Sequence, residues 1–188
     1  RALAEDAAGS IWIGTRLGLN RWRADRPDDC PTLATEGSAK AASADATACR
    51  LERHPQRLGP STSATDERIL TLLHDSAGEL LVGSWNGLSR RRADGGFERL
   101  FADPQGEPTL AGLQLLSLTQ LADGRVAVGT AQDGAFMIDS GRKRLQRIPT
   151  DGSAAGIASY SLVMLQPRPD ELWMGGFGGI AVLDAASG

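Results

Sequence analysis

Short apolar runs recur along the whole chain, each bounded by Asp, Gly, Asn or Ser, whereas apolar residues at helical spacing are hard to find. The runs have the length of strands, so the pattern predicts a mostly β protein. In Leu80, Leu81 and Val82 the apolar positions are consecutive, which indicates a strand covered on both faces. The 23 glycines and nine prolines among 188 residues fit a chain that turns often.

Four of these runs align as internal repeats. Each starts at a turn that contains Asp, ends at a glycine that we call the anchor, and is followed a few residues later by another glycine and an apolar residue. The anchors are Gly14, Gly83, Gly129 and Gly175, and they lie 69, 46 and 46 residues apart. The last two spacings define a period of 46 residues, and the longer first spacing indicates an insertion.

A second landmark places this insertion. Leu51, Phe97 and Leu145 each begin a similar strand and lie 32, 32 and 30 residues before the next anchor. The extra residues therefore come before Leu51, at about 25–48.

A period of 46 residues that carries four short strands fits a β-propeller blade, which spans about 40–50 residues. The sequence predicts an all-β fold of about four four-stranded blades, with strands A to D named from the axis outward. The positions of Trp12 and Trp173 fit packing between blades. We expect the first blade to lack most of strand A and the chain to stop before a fourth strand D, which gives an open arc of a larger ring. The predicted blades are 1–54 with insertion 25–48, 67–101, 113–149 and 159–188.

Charge and composition narrow the possible partners. The formal net charge is -3, which gives no electrostatic basis for binding nucleic acid. No apolar stretch approaches the roughly 20 residues of a membrane span, so we expect this segment to make no membrane contact. The chain begins at Arg1 without an initiator Met or a leader, and we expect that it is an excised piece.

The repeats resemble the two-component regulator propeller repeat, in which an aliphatic-Trp-aliphatic-Gly-Thr strand follows a turn with Asp and Gly and precedes Gly-Leu and a basic residue. The first repeat matches this pattern at Asp6, Gly9, Ile11, Trp12, Ile13, Gly14, Thr15, Gly18, Leu19 and Arg21. The later repeats depart from it: Leu81 and Ala127 replace the Trp, and the fourth repeat lacks the turn glycine.

The resemblance implies a periplasmic sensor region of a membrane-bound bacterial receptor. Family members carry seven-bladed propellers, often in tandem, followed by a transmembrane helix and a histidine kinase or diguanylate cyclase output domain, and their ligands are often glycans. The expected partners are therefore a small-molecule or glycan ligand, the remaining blades and the output domain of the same polypeptide, and a second copy in a homodimer. The segment itself is expected to be non-catalytic and to need no cofactor or metal.

The two cysteines, Cys30 and Cys49, bracket the insertion. In a reducing cytosol they would be unrelated thiols. In the periplasm that the resemblance implies, a disulfide between them would hold down a polar, Ala-rich loop, and closing a loop of this length contributes roughly 3 kcal/mol. A zinc site is disfavoured, because only His54 lies near in sequence and four ligands are needed.

Catalytic motifs are scarce: the histidines are His54, on an outer strand, and His74, beside a turn. The turn aspartates recur in register, and we expect their side chains to accept hydrogen bonds from backbone amides of the A-to-B turns. These aspartates are Asp6, Asp75, Asp123 and Asp170.

Ligand recognition is expected on the face that carries the B-to-C loops. Residues 15 before three anchors are Arg68, Gln114 and Tyr160, three different polar residues at one equivalent position. The B-to-C loops add Arg16, Trp85, Asn86, Gln132, Asp133 and Phe177. Aromatic faces beside amide and charged groups suit a sugar ring; the alternative is that these are ordinary exposed loop residues.

Two other functions stay open at this point, because propellers host several. A related propeller group contains lyases that use a histidine and a metal, although neither histidine here falls on the predicted binding face. A scaffold for protein docking or receptor dimerisation would use the same fold without a small ligand.

Overall fold

The structure is a computed structural model that describes residues 2–23, 25, 51–54, 68–106, 108–148 and 161–185. Apart from Asp25, the predicted insertion lies outside the described residues, as do Cys30, Cys49 and Tyr160. The described residues form fifteen strands in four antiparallel sheets.

Each sheet is one blade. Blade 1 holds β1 (Ala2–Glu5), β2 (Ile11–Thr15), β3 (Gly18–Trp22) and β4 (Leu51–His54). Blade 2 holds β5 (Ile69–His74), β6 (Leu80–Ser84), β7 (Gly87–Arg91) and β8 (Phe97–Leu100). Blade 3 holds β9 (Leu115–Gln120), β10 (Val126–Thr130), β11 (Ala135–Ile138) and β12 (Leu145–Arg147). Blade 4 holds β13 (Val163–Arg168), β14 (Glu171–Gly176) and β15 (Gly179–Asp184).

The strand order in every sheet follows the chain, as a propeller requires. The all-β propeller fold is thus confirmed, and the described part of blade 4 has three strands. The expectation that blade 1 lacks most of strand A is wrong, because β1 is four residues long and pairs with β2 from Ala2 opposite Gly14 to Glu5 opposite Ile11.

A separate apolar core lies between each pair of neighbouring blades. Trp12, only 2% exposed, lies between blades 1 and 2 with Leu72 and Val82. Leu81 faces the next core, between blades 2 and 3, while Ala127 faces the core between blades 3 and 4. Because β6 and β10 each have a core on both sides and are buried along their whole length, their apolar residues are consecutive and do not alternate with polar ones.

The anchor glycines are explained by how closely the blades approach one another. A Cβ on Gly14 would lie 2.5 Å from Cγ2 of Ile69. A Cβ on Gly83 would lie 2.4 Å from Cγ2 of Thr71 in its own blade and 3.2 Å from Cβ of Leu115 in the next blade. At Gly129 it would overlap the carbonyl oxygen of Ser161. The three obstructing residues of the next blades, 46 apart in sequence, all stand at the start of strand A. The repeat therefore keeps glycine there because the next blade occupies the space of a side chain.

The outer face of blade 4 is not part of an interblade core among the described residues. Its exposed apolar residues are Val163, Leu165, Trp173, Ile180 and Val182. By strand register they share one face, since Leu165 and Val182 both pair with Trp173, and Val163 and Ile180 both pair with Gly175. Trp173, whose position the sequence predicts between blades, lies on this face and is 41% exposed, with its indole N–H donating to Glu171 Oε2 at 3.1 Å; its packing against a further blade stays a prediction.

Candidate functional site

The propeller has two faces that carry different connections between its strands. Since successive strands are antiparallel, the A-to-B and C-to-D turns lie on one side, called here the turn face, and the B-to-C loops lie on the other, called the loop face.

On the loop face, Arg68 and Gln114 occupy the same position in their blades. Each directly precedes strand A, and its carbonyl oxygen accepts a hydrogen bond from the second residue after the anchor: from the amide of Trp85 (3.2 Å) and from that of Ala131 (3.0 Å), respectively. The equivalence predicted by counting back from the anchors is therefore present in the structure for these two residues.

The Arg68 side chain also contacts the B-to-C loop of its own blade. Its guanidinium carbon lies 4.7 Å from the centroid of the Trp85 ring, a cation–π arrangement. Both residues are half-buried. The contact gives this part of the loop face one positively charged group stacked on one aromatic ring.

Hydroxyl groups at the end of strand B shape the B-to-C loops. The hydroxyl of Thr15 donates to Gly18 O (2.9 Å), that of Ser84 to Gly87 O (3.1 Å), and that of Thr130 to Gly134 O (2.8 Å). The same oxygens accept loop amides, such as those of Asn86 and Asp133. This is why a Thr or Ser follows the anchor glycine in the first three repeats.

The remaining predicted loop residues differ in exposure. Arg16, Gln132 and Phe177 are exposed, and Phe177 is 78% exposed, while Asn86 and Asp133 are half-buried. Whether any of them touches a ligand stays a prediction.

Sequence reasoning missed an apolar ring beside this rim. Leu70, Leu116 and Leu162, again 46 residues apart, lie two residues after the Arg68, Gln114 and Tyr160 positions. They line a cavity of about 290 Å³ on strands A of the four blades, together with the hydroxyl-bearing residues Thr71, Ser117 and Thr119. The exact 46-residue spacing of three leucines was the signal that could have revealed it. The loop face thus combines a polar rim with an apolar axial surface.

On the turn face, Asp6 and Asp75 act as predicted. Asp6 Oδ1 accepts the amides of Ala8 and Ser10, and Asp75 Oδ1 accepts those of Ala77 and Glu79, all at 2.8–3.0 Å. Burial would raise the pKa of Asp6, but hydrogen bonds from the Ser10 amide and the Trp12 indole, together with the charge of Arg21, lower it below its ordinary value. Both carboxylates therefore hold the turns in shape.

The predicted register fails for Asp123. The amide of Leu121 donates to Arg125 O, as that of Asp75 donates to Glu79 O, so Leu121 occupies the Asp75 position. Asp123 lies two residues further on and accepts the amide of Arg125. The turn of blade 3 is fixed with an apolar residue in place of the aspartate, and Leu121 is buried in the core shared with blade 4.

The surroundings of His54 in blade 1 favour its neutral form. Burial lowers its pKa, Glu52 opposes this, and the nearby Arg91 and Arg21 charges lower it further. Its ring lies 5.1 Å from the Trp12 ring, and its buried Nε2 has no hydrogen-bond partner among the described residues.

This environment predicts a pH-dependent stability. The unfolded chain protonates His54 near pH 6.5, and the native chain does so only at lower pH, so acid favours unfolding. We expect the free energy of unfolding, measured by urea titration, to fall as the pH is lowered from about 7.5 to about 5.5, and His54→Gln to flatten this dependence. His74→Gln is the matched control. An equally steep dependence in His54→Gln would refute the role of His54.

Within the described ranges, no group of three or more His, Cys, Asp or Glu side chains could hold a metal ion. Nor does this part of the chain contain a helix long and apolar enough to cross a membrane.

The sequence matches no protein-family model and no curated protein, but the structure resembles solved propellers. The extracellular domain of BT4673 from B. thetaiotaomicron, described as a hybrid two-component system, is 15% identical with a TM-score of 0.68, over 100% of this chain and 21% of that one. PorZ of Porphyromonas gingivalis, a bacterial surface component of the type-IX secretion system, is 14% identical with a TM-score of 0.71, over 99% of this chain and 26% of that one. Virginiamycin B lyase from Staphylococcus aureus is 13% identical with a TM-score of 0.53, over 97% and 54%.

These likenesses establish the β-propeller fold. They include the extracellular domains of two-component systems, the class of protein that the repeats resemble. The chain spans between a fifth and about a quarter of the length of the first proteins in this group, the BT4673 domain and PorZ.

Proposed function

We propose that the chain is part of an extracytoplasmic, ligand-binding sensor module of a membrane-bound two-component-type receptor. The observation that carries the proposal is the pairing of the two-component propeller repeat with a structure that resembles extracellular domains of such systems. The bacterial periplasm is the location that fits this role. In it, ligand binding would shift the population of receptor conformations.

The ligand surface that we propose is the polar rim and apolar axial ring of the loop face. Arg68 on Trp85 offers a charged donor group on an aromatic surface, and Gln114 offers an amide at the equivalent position of the next blade. Leu70 and Leu116 supply the apolar surface beside them. A sugar fits this chemistry, because its hydroxyls bond polar groups and its C–H face packs on apolar or aromatic ones.

The test is a thermal-shift and glycan-array screen of the chain, repeated on every hit with Arg68→Ala and Gln114→Ala. We expect each substitution to weaken binding by about tenfold, as loss of one hydrogen-bonding group in a site does. Arg144→Ala, an exposed arginine on the turn face, is the control and should leave binding unchanged. Hits that bind both variants as tightly as the parent chain would place the site elsewhere.

We further propose that this segment is non-catalytic and works without a cofactor or metal. The positions of the histidines support this: His54 is enclosed between Trp12 and Glu52, and His74 ends strand β5 on the turn face, away from the proposed ligand surface.

We also propose that a further four-stranded blade of a larger propeller covers the outer face of blade 4. The same strand positions that are exposed in blade 4 receive the next blade in blade 3, where Ala127, Ala135 and Met137 are buried against it. Trp173 and Val182 are apolar counterparts of Ala127 and Met137, so the exposed face has the chemistry of an interblade core.

A further inference from the structure

The two junctions between blades 1, 2 and 3 differ on the turn face. Between blades 2 and 3 the side chain of Arg142, in the C-to-D turn of blade 3, crosses to the A-to-B turn of blade 2. Its Nη2 donates to Asp75 Oδ2 at 2.6 Å and its Nε to Glu79 Oε2 at 3.3 Å. The side chain is only 6% exposed, so it fills the junction.

Between blades 1 and 2 the corresponding residue is Gly95. The amide of Gly95 donates to Arg92 O and the amide of Arg142 donates to Asp139 O, both at 3.0 Å, and both residues have positive φ, 85° and 57°. Glycine has no side chain to cross the junction. A second interblade contact differs as well. The Gln120 side chain of blade 3 forms hydrogen bonds with Ser76 in the A-to-B turn of blade 2, whereas the residue of blade 2 at the same strand position as Gln120 is His74.

A cavity of about 310 Å³ occupies this junction, a volume at the lower end of the range for small-molecule sites. Its lining includes Asp6 and Trp12 of blade 1 and His74, Arg91 and Arg92 of blade 2. The space that Arg142 takes at one junction is therefore open at the other.

The charges around the cavity do not cancel. Both carboxylates of the lining are already paired, Asp6 with Arg21 at 2.7 Å and Glu79 with Arg90 at 3.2 Å and Arg142 at 3.3 Å. Arg92 is paired with Asp94 at 3.0 Å. Arg91 lies with its guanidinium carbon 5.3 Å from the centroid of Trp12. Its Nε is buried without a hydrogen-bond partner, and within the described part of the chain it forms no ion pair. Arg91 lines the cavity and its guanidinium forms no hydrogen bond with the described residues, so its terminal nitrogens can donate to an acceptor that enters the cavity.

We propose that the cavity between blades 1 and 2 is a second binding site, for a small molecule of monosaccharide size. The molecule carries an oxyanion, either a carboxylate or a phosphate, and this oxyanion binds Arg91. The oxyanion supplies the acceptor that Arg91 lacks and compensates its charge, and charge-assisted hydrogen bonds of this kind are stronger than neutral ones. The site lies on the turn face, opposite the proposed loop-face site, and does not depend on it.

The test is calorimetric titration of the chain with sodium glucuronate, glucose 6-phosphate and, as the neutral reference, glucose. We expect at least one of the two anions to bind this cavity and glucose not to bind it; the anion that binds identifies the oxyanion. Arg91→Gln should weaken anion binding by about tenfold or more, while Arg144→Gln, which removes the same charge from an exposed position outside the cavity lining, should change it less than about twofold.

A spectroscopic readout locates the binding. The Trp12 indole N–H, which donates to Asp6, should shift in ¹H–¹⁵N spectra on addition of the anion, and the indole N–H of Trp173 on blade 4 should not. If Arg91→Gln does not fold, Arg91→Lys, which keeps the charge without the planar fork of donors, should weaken binding. The proposal is overturned if neither anion binds, if glucose binds equally well, if the Arg91 variants bind as the parent does, or if the Trp12 signal stays fixed.

Discussion

Arg142→Gln is expected to lower the free energy of unfolding by about 3–5 kcal/mol, because it leaves the buried Asp75 carboxylate without its partner. The side chain of Asp75 is only 1% exposed and that of Arg142 only 6%, so water cannot replace the lost interaction. Urea unfolding of the two proteins measures the difference. Arg168→Gln is the control: it breaks the surface pair with Glu171, in which Arg168 is 70% exposed, and should cost less than about 1 kcal/mol.

A second variant, Arg142→Gly, separates the contribution of the ion pair from that of the backbone conformation at this position. The φ of 57° at Arg142 lies in the left-handed region, which is unfavourable for a residue with a side chain. Arg142→Gly relieves that strain and still removes the ion pair, so we expect it to be destabilised as well. A double-mutant cycle with Asp75→Asn should show a coupling energy of about 1–3 kcal/mol. Additive effects, or an Arg142→Gly protein as stable as the parent, would show that the interblade ion pair does not stabilise the fold.

The overall architecture could be predicted because it depends on a repeated constraint. Every blade must leave room for the next one, and this keeps Gly14, Gly83 and Gly129 at the same position of their repeats. A period that depends on glycine is visible in one sequence even where the Trp of the first repeat is replaced by Leu81 or Ala127. The hydroxyl after the anchor is visible for the same reason, since it closes the B-to-C loop locally.

Contacts that occur at only one junction could not be predicted in this way. Arg142 stands in a C-to-D turn one residue longer than that of blade 2, and no repeated residue marks it. The repeat pattern aligns Asp123 with Asp75 because each is the turn aspartate before strand B, although hydrogen bonding assigns that position to Leu121. The cavity at Arg91 exists because Gly95 has no side chain to fill it, and no sequence pattern indicates an empty space.

Strand A of blade 1 could not be predicted from the sequence for a different reason. Ala2–Glu5 carries few β-branched or aromatic residues, so its own sequence predicts a strand weakly. It becomes a strand because β2 offers it a complete antiparallel edge, and Ala2 and Ala4 pack against the core shared with blade 2. Its partner and its core, both distant in sequence, determine its structure.

The central claim, that each anchor glycine is where the next blade docks, is tested most directly by comparing Gly129→Ala with Gly175→Ala. At Gly129 the new methyl group would overlap Ser117 and the backbone of blade 4 at Ser161, which cannot move without separating the blades. At Gly175 the methyl group would meet, among the described residues, only Val163: its Cγ1 at 3.0 Å, in a side chain that is 60% exposed and free to turn aside, and its carbonyl oxygen at 4.0 Å.

Urea unfolding of both variants should therefore give a loss of about 3 kcal/mol for Gly129→Ala, as overpacking against rigid structure does, and less than about 1 kcal/mol for Gly175→Ala. In a longer protein in which a further blade covers this face, the cost of Gly175→Ala should rise to that of Gly129→Ala. Equal and small losses for the two variants of this chain would contradict the claim that blades dock at the anchor glycines.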